Sequence, residues 1–261
     1  MITSMANGQV KHVVNLLNKA KYRRENGVFV VEGVKMVLEA PRDRVDKIYI
    51  SEEFFLSHKT GLDGIEWKSP KVEVVSDSVF KQMSDTKTPQ GIMATVRMKE
   101  SSLNEIVDSD RAFVIVCEDI QDPGNMGTIL RTGEGAGVTG IIMSRNTVDI
   151  YHPKTIRSTM GSVYRVPFFI AENLQDAIRK MKLLGVKVYA AHLNGNNSYA
   201  KEDYSGKCAF LIGNEGNGLK DDTAALSDCL IKIPMEGSVE SLNAAVSSAI
   251  LMYEVNRQRQ L

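Results

Sequence analysis

The run AFVIVCED, residues 112–119, most constrains the fold, because its first six residues are all apolar. A strand that is apolar on both faces is typical of a parallel sheet covered by helices on both sides. More strand-like runs follow, many of them separated by segments of helical periodicity: GIIMS, YRVPFFI, VKVYAAH, CAFLIG and CLIKIP. This alternation predicts an α/β fold with a parallel sheet flanked by helices, and ligands at the carboxyl ends of its strands.

The first part of the chain predicts a smaller α/β domain. Residues 9–18 carry apolar side chains one helical turn apart, which predicts an amphipathic helix. Short strand-like and helical segments then alternate as far as Val96. We therefore expect a first domain at residues 1–96, a polar linker at 97–110 and a second domain at 111–261.

The composition is that of a globular protein. Of 261 residues, 43% are hydrophobic and 25% charged, which excludes disordered and collagen-like chains. No apolar run approaches the roughly 18–20 residues that span a bilayer, and the first residues lack the apolar segment of a signal peptide. The three isolated cysteines favour reduced thiols over a disulfide framework. We expect a cytoplasmic protein without a membrane span.

The formal net charge is zero, but the charges are unevenly placed. Residues 1–100 carry a surplus of three positive charges, and residues 101–261 carry the opposite surplus. Five basic residues precede the first acid of the chain: Lys11, Lys19, Lys21, Arg23 and Arg24. They indicate an anionic partner for the front of the protein, with a solvated helix face as the alternative explanation.

One dinucleotide-like motif is a false signal. Gly135, Gly137 and Gly140 fit G-x-G-x-x-G, but they follow a predicted helix instead of opening one. This position favours a helix stop and a turn over a phosphate site. The histidines stand singly, without the spacing of metal ligands, so no metal site is expected.

The segment DPGNMGTILRTGEGAG, residues 122–137, is the first of three clusters with chemical character. It predicts a helix that starts at the carboxyl end of a buried strand, with Asn125 in its first turn. Gly127, Arg131 and Glu134 share one face of that helix. The glycine leaves bare backbone beside the guanidinium, as a ligand site needs. Close helix packing together with an Arg131–Glu134 ion pair would explain the same residues.

The second cluster, residues 210–219, reads FLIGNEGNGL. Its buried strand ends in Gly213, Asn214 and Glu215, and the turn continues to Gly218. Glycines permit positive φ and close approach of a ligand. A tight turn would explain the glycines and the asparagines but leaves the single acid without a purpose.

The third cluster spans residues 233–254 and contains a helix predicted at 242–257. Small side chains such as Ala245 line the apolar face of this helix. Ser238 or Ser241 is the expected N-cap, and Asn243 adds an amide in the first turn.

Together the clusters resemble the SpoU (TrmH-like) family of RNA ribose 2′-O-methyltransferases in the SPOUT superfamily. N-x-G-x-x-x-R-T stands at residues 125–132 and G-N-E-x-x-G at 213–218. I-P-M-x-G-x-x-x-S-L-N-x-A stands at 233–245. The first domain resembles the ribosomal-protein-like substrate-binding domain that often precedes this catalytic domain.

The resemblance implies a carboxyl-terminal trefoil knot, S-adenosyl-L-methionine as cofactor and a homodimer formed through the catalytic domain. It implies 2′-O-methylation of a ribose in structured RNA, with 23S ribosomal RNA as the first expectation. A tRNA 2′-O-methyltransferase and a non-catalytic RNA-binding or ribosome-assembly protein are the alternatives.

The resemblance also implies roles for residues at the motif positions. The catalytic candidates are Asn125, Arg131, Glu215, Ser241 and Asn243. The cofactor-binding candidates are His192, Leu193, Asn194, Gly195, Gly213, Asn214, Gly218, Ile233, Leu242 and Ala245. The RNA-binding candidates are the five basic residues Lys11, Lys19, Lys21, Arg23 and Arg24.

Arg131 is an awkward general base, because a guanidinium group keeps its proton in proteins. We expect it to bind a phosphate of the RNA and to stabilise the alkoxide that forms from the ribose hydroxyl. We further expect Glu215 to orient Arg131 by a charge-assisted hydrogen bond.

Overall fold

The structure is a computed structural model that describes residues 1–58, 65, 71–193, 195 and 197–260. Within these residues the strands are β1 Val28–Glu32, β2 Val45–Ser51, β3 Val72–Val75, β4 Ile92–Arg97, β5 Phe113–Cys117, β6 Gly140–Ser144, β7 Phe168–Ala171, β8 Lys187–Ala191, β9 Asn197–Ser198, β10 Cys208–Ile212 and β11 Cys229–Lys232. The α-helices are α1 Gly8–Asn18, α2 Ala20–Asn26, α3 Val34–Glu39, α4 Glu52–Ser57, α5 Asp77–Met83, α6 Leu103–Val107, α7 Pro123–Ala136, α8 Pro153–Thr159, α9 Leu174–Leu183, α10 Asp221–Ala224 and α11 Ala244–Gln260.

Contacts divide the chain into two units. The first unit comprises Met1–Lys99 with Asp149–Tyr164, and the second comprises Glu100–Val148 with Arg165–Leu261. Residues 149–164 therefore pack with the first unit, although they lie in the stretch that we assigned to the second domain. One physical reason is the buried Tyr151, whose ring lies 4.5 Å from that of Phe29.

The first unit is built on a four-stranded sheet of order β1-β4-β2-β3. β4 is antiparallel to both neighbours, whereas β2 and β3 are parallel. Asn7 caps α1 by accepting a hydrogen bond from Gln9 N, and Val10 and Val13 are fully buried. They join side chains of α5, such as Phe80, in one apolar cluster, as the helical periodicity of α1 predicts.

The second unit is built on a seven-stranded sheet of order β7-β6-β5-β10-β8-β11-β9. All its described pairings are parallel, and every residue of β5 is buried. The predicted α/β fold with a parallel sheet is confirmed. Because the strands run in one direction, the loops after β5, β10, β8 and β11 leave from the same edge.

Part of the predicted linker is a helix of the second unit. Ser102 and Glu105 form a capping box at the start of α6. Leu103 and Ile106 are buried in the same apolar cluster as the sheet. The sequence signal was the pair S-x-x-E before apolar residues, which marks a helix start.

The dinucleotide-like glycines form a helix stop, as predicted. Gly137 is the C-cap of α7 with φ 84°, and Gly140 is the first residue of β6. Of the helices in the described part of the chain, none is long and apolar enough to cross a bilayer.

Candidate active site

The first two clusters meet because β5 and β10 are neighbours in the sheet. Glu215, three residues after β10, accepts a hydrogen bond from Asn125 Nδ2 at 2.9 Å. It also accepts from the backbone N–H groups of Gln121, at 3.0 Å, and Asp122, at 3.1 Å. The carboxylate therefore anchors the first turn of α7, whose own N-cap is Asp122.

The third cluster joins the same site through Asn243. Its Nδ2 donates to Asn125 Oδ1 at 2.9 Å. An ionised carboxylate only accepts hydrogen bonds, so Asn125 must turn its NH₂ group toward Glu215. Its carbonyl oxygen is then left for Asn243. The relay Glu215–Asn125–Asn243 thus fixes the orientation of Asn125 from both ends.

Asn243 also caps the last helix. Its Oδ1 accepts from Ala245 N at 2.9 Å and from Val246 N at 3.3 Å. The expectation that Ser238 or Ser241 caps α11 is wrong, because both serines are exposed and the helix starts only at Ala244. One side chain therefore fixes the start of α11 and reaches the start of α7.

The surroundings of Glu215 favour its ionised form. Partial desolvation raises the pKa of Glu215, but the hydrogen bonds from Asn125, Gln121 N and Asp122 N together lower it by more. The pKa of this carboxyl consequently lies below its ordinary value of 4.5. Hydrogen bonds that favour the charged form have this effect.

Arg131 is exposed, and no hydrogen bond or ion pair of its guanidinium occurs within the described ranges. The alternative ion pair with Glu134 is not formed, since Glu134 pairs with Arg165. The expected bond from Glu215 to Arg131 is wrong as well. Arg131 lies six residues beyond Asn125, about 9 Å along the helix axis at 1.5 Å per residue, while Glu215 is held at the helix start.

The second cluster is a tight turn that requires glycine at positions 213 and 218. A Cβ atom on Gly213 would lie 2.1 Å from the carbonyl carbon of Gly218. Gly218 itself has φ 70°. Asn214 closes the turn, since its Oδ1 accepts from Gly216 N and Asn217 N. The turn explains the glycines and asparagines, and it presents Glu215 to α7.

The loop after β8 lies against strand β11. His192 N donates to Ile231 O at 2.9 Å, and a Cβ on Gly195 would lie 2.6 Å from Ile231 C. Leu193 is 66% exposed, and Ile233 and Leu242 are half-buried. Asn194 lies outside the described residues.

This edge fits a cofactor that is held through backbone groups and apolar contacts. The space beside Gly218 is open, whereas the missing side chains of Gly195 and Gly213 make room for the backbone of Ile231 and Gly218. Leu193, Ile233 and Leu242 offer apolar surface. Ala245, by contrast, is 4% exposed. No group of three or more potential metal ligands occurs among the residues that the structure describes.

The basic residues at the front of the chain fall into two kinds. Lys11, Lys19, Lys21 and Arg24 are exposed on or beside α1 and α2. Arg23 is 2% exposed, and its guanidinium donates to Leu16 O, Leu17 O and Asp149 Oδ2. The expectation that Arg23 binds RNA is wrong, because its donors are turned inward and occupied.

Sequence reasoning missed a polar cluster at the end of β5. Asp119 has φ 53° and accepts hydrogen bonds from Ser144 Oγ and Lys220 Nζ. Desolvation raises the pKa of Asp119, but the hydrogen bonds from Lys220 and Ser144 outweigh it and lower the pKa below 3.8. The only signal in the sequence for this cluster is the pair Glu118 and Asp119 directly after the buried strand.

The fold and these residues define an α/β protein with a polar candidate site at the carboxyl edge of a parallel sheet. The sequence model of the SpoU rRNA Methylase family matches residues 112–253, and the chain belongs to this family. The model of the MRM3-like substrate binding domain matches residues 7–94.

Relatives and solved structures agree with this membership. The chain is 32% identical to the 23S rRNA (guanosine(2553)-2′-O)-methyltransferase RlmP of Bacillus subtilis, over 97% of this chain and 98% of that protein. It is 27% identical to the 23S rRNA (guanosine-2′-O-)-methyltransferase RlmB of Shewanella oneidensis, over 91% of this chain and 99% of that protein. The AdoMet-bound rRNA methyltransferase of Sinorhizobium meliloti is 32% identical, with TM-score 0.86 over 98% of this chain and 97% of that one.

Proposed function

We propose that the protein transfers a methyl group from S-adenosyl-L-methionine to the 2′-hydroxyl of a ribose in 23S ribosomal RNA. The observation that carries this proposal is the relay Glu215–Asn125–Asn243, which joins all three family motifs. Both named relatives are 23S rRNA 2′-O-methyltransferases, and the Sinorhizobium meliloti structure contains AdoMet.

The cofactor, when bound, supplies an activated methyl group on its sulfonium centre. The residues that would hold it follow β8, β10 and β11: His192, Leu193, Gly195, Gly213, Asn214, Gly218, Ile233, Leu242 and Ala245. Asn194 belongs to the same loop by sequence. Apolar contacts and backbone groups suit adenine and a neutral ribose.

The chain itself has to make a poor nucleophile reactive, since a ribose hydroxyl is protonated at neutral pH. Arg131 has free donors and a permanent charge, so it binds the neighbouring phosphate and stabilises the alkoxide that forms as the hydroxyl proton passes to water. Asn125 positions the ribose, and Glu215 and Asn243 hold Asn125 in one orientation. Ser241, which is exposed in the loop before α11, contacts the ribose or the donor.

The first unit binds the RNA. Lys11, Lys19, Lys21 and Arg24 are exposed cations on one helical region, and the matching family model is that of a substrate-binding domain. Their contacts with phosphate supply affinity and make it depend on salt. A cytoplasmic location goes with this substrate.

The knot and the homodimer are part of the same proposal. The strand order supports a knot, since β10 lies between β5 and β8 and the turn after it is closely packed. Two exposed apolar side chains of α11, Val246 and Tyr253, support a dimer formed through this helix. Sedimentation of the purified protein tests the dimer.

The decisive test has two arms, binding and transfer. Isothermal calorimetry should detect binding of S-adenosyl-L-methionine, and purified protein with radiolabelled cofactor should methylate 23S rRNA lacking the modification. Asn125→Ala should abolish transfer while cofactor binding survives, and Arg179→Ala, which alters an exposed ion pair, is the matched control. Methylation of tRNA but not of 23S rRNA would identify tRNA as the substrate instead. Absence of S-adenosyl-L-methionine binding would refute the proposal that the protein is a methyltransferase.

A further inference from the structure

We infer that Asp119, held by Ser144 and Lys220, is a positioning residue that orients Asn214 and thereby the turn that carries Glu215. The kinetic consequence rests on the proposed function, whereas the hydrogen bonds do not.

The backbone of Asp119 is in an unusual conformation. Its φ of 53° lies in the left-handed region, which non-glycine residues rarely adopt. Its side chain fastens it there, because Oδ1 accepts from Ser144 Oγ at 2.6 Å and Oδ2 accepts from Lys220 Nζ at 2.7 Å. The backbone N–H donates to the same Ser144 oxygen at 2.8 Å. Such conformations persist where the surroundings over-determine them, and they are concentrated at functional sites.

The left-handed conformation aims the carbonyl of Asp119 at the second motif. This oxygen accepts from Asn214 Nδ2 at 2.8 Å. The other end of the same amide, Asn214 Oδ1, accepts from Gly216 N and Asn217 N. Rotation of the peptide that follows Asp119 would therefore remove the partner that fixes Asn214.

The two segments hold each other in both directions. The carbonyl oxygen of Asp119 accepts a hydrogen bond from Asn214. In return, the backbone N–H groups of Gln121 and Asp122 donate hydrogen bonds to Glu215. A shift of Asp119 would consequently move the carboxylate that orients Asn125.

Lys220 is itself fixed at its backbone. Its N–H donates to Glu118 Oε2 at 2.8 Å, and Glu118 also accepts from Thr223 Oγ1 at 2.5 Å. Glu118 is 2% exposed, so the base of the lysine is rigid while its side chain, 56% exposed, reaches Asp119. The lysine end of this ion pair is exposed, although Asp119 is only 18% exposed. We therefore expect its loss to change local dynamics and catalysis more than global stability.

The test uses Asp119→Gly and Lys220→Met in the full-length protein. Glycine tolerates the left-handed backbone, so the fold is kept while the side-chain anchor is lost. We expect the amides of Gly216 and Asn217 to exchange hydrogen about tenfold faster in both variants, and kcat to fall about tenfold or more. Lys201→Met, an exposed lysine of the same unit, is the control that should change neither.

The double variant decides whether the two residues act as one device. If they do, the double variant loses no more activity than the slower single variant, because the effects of substituting coupled residues do not add. Unchanged exchange at Gly216 and Asn217, or losses that multiply, would overturn the inference. If the wild-type protein methylates no RNA, the proposed function fails, while the exchange data still decide whether Asp119 positions the turn.

Discussion

Arg23 in α2 and Arg131 in α7 are two arginines in opposite environments. Arg23 is 2% exposed and donates to two backbone carbonyls and to Asp149, at 2.6 Å for the closest carboxylate contact. Arg131 is exposed, and nowhere in the described residues does its side chain have a partner. The first guanidinium is used by the fold, and the second is available to a ligand.

The difference shows that the partners of a charged side chain, and not its type, decide its role. A buried arginine must have its donors satisfied, because an unpaired buried charge is strongly unfavourable. Keeping an exposed arginine costs the fold little, and it can bind a phosphate through two donors. Substitutions at the two arginines, at Glu215 and at the exposed cations of the first unit test this difference.

The largest effect is expected for Arg131→Ala. The role proposed for Arg131 is to stabilise developing negative charge, and loss of such a donor should lower kcat by about 10²–10³-fold. The midpoint of thermal unfolding should not move, because the guanidinium makes no described contact. Methyl transfer to 23S rRNA and calorimetry check both parts. A normal rate in this variant would contradict the assigned role.

Arg23→Met should show the reverse pattern. It leaves Asp149 and two carbonyls without their donor, so the free energy of unfolding should fall by about 3 kcal/mol. Urea unfolding measures the loss, and Arg24→Met, the exposed neighbour, should change stability by less than about 0.5 kcal/mol. Equal losses in the two variants would mean that Arg23 is not structural.

Glu215→Gln tests the relay Glu215–Asn125–Asn243, and its expected effect on kcat is smaller than that of Arg131→Ala. A neutral amide replaces a carboxylate that accepts from three donors, so kcat should fall about tenfold. The pKa of Glu215 lies below 4.5 because the hydrogen bonds outweigh its desolvation. The stability from its ionised form is therefore present above that pH and is lost as pH falls through the lowered pKa. An acid limb of kcat near neutral pH that disappears in Glu215→Gln would contradict this.

The smallest effects are expected for the exposed cations of the first unit. Alanine at Lys11, Lys19, Lys21 or Arg24 should weaken RNA binding a few-fold each, and each should lower the salt slope of log K by about one. Fluorescence titration at several salt concentrations measures this, with Arg179→Ala as control. An unchanged slope after all four substitutions would place the RNA elsewhere.

The sequence could predict the strands but not their order. The apolar runs mark β5, β6, β8 and β10, most of whose residues are buried, as strands covered on both faces require. The run at β11 also marks a strand, although only Ile231 is buried there. The position of β10 between β5 and β8 depends on pairing between distant residues, which no local pattern contains. α6 has only five residues, too few to show the periodicity of apolar residues that marks a helix, although the sequence contains its capping box.

The candidate site followed from the resemblance to the family motifs, but the contacts between its residues did not. Motif positions marked Asn125, Glu215 and Asn243, and the structure joins them in one relay. The partner of Glu215 was predicted wrongly, because helix periodicity cannot show which loop meets which turn. The burial of Arg23 was equally hidden, since Asp149 lies 126 residues away in sequence.

The contact between Asn243 and Asn125 joins two neutral amides. Counterions do not screen a hydrogen bond between uncharged groups, and neither amide gains or loses a proton near neutral pH. The alignment of α7 with α11 should therefore be indifferent to ionic strength, whereas attraction between cationic side chains and a polyanion weakens as salt rises. Added salt should then raise the RNA concentration needed for half-maximal rate and leave the assembly of the three motifs intact.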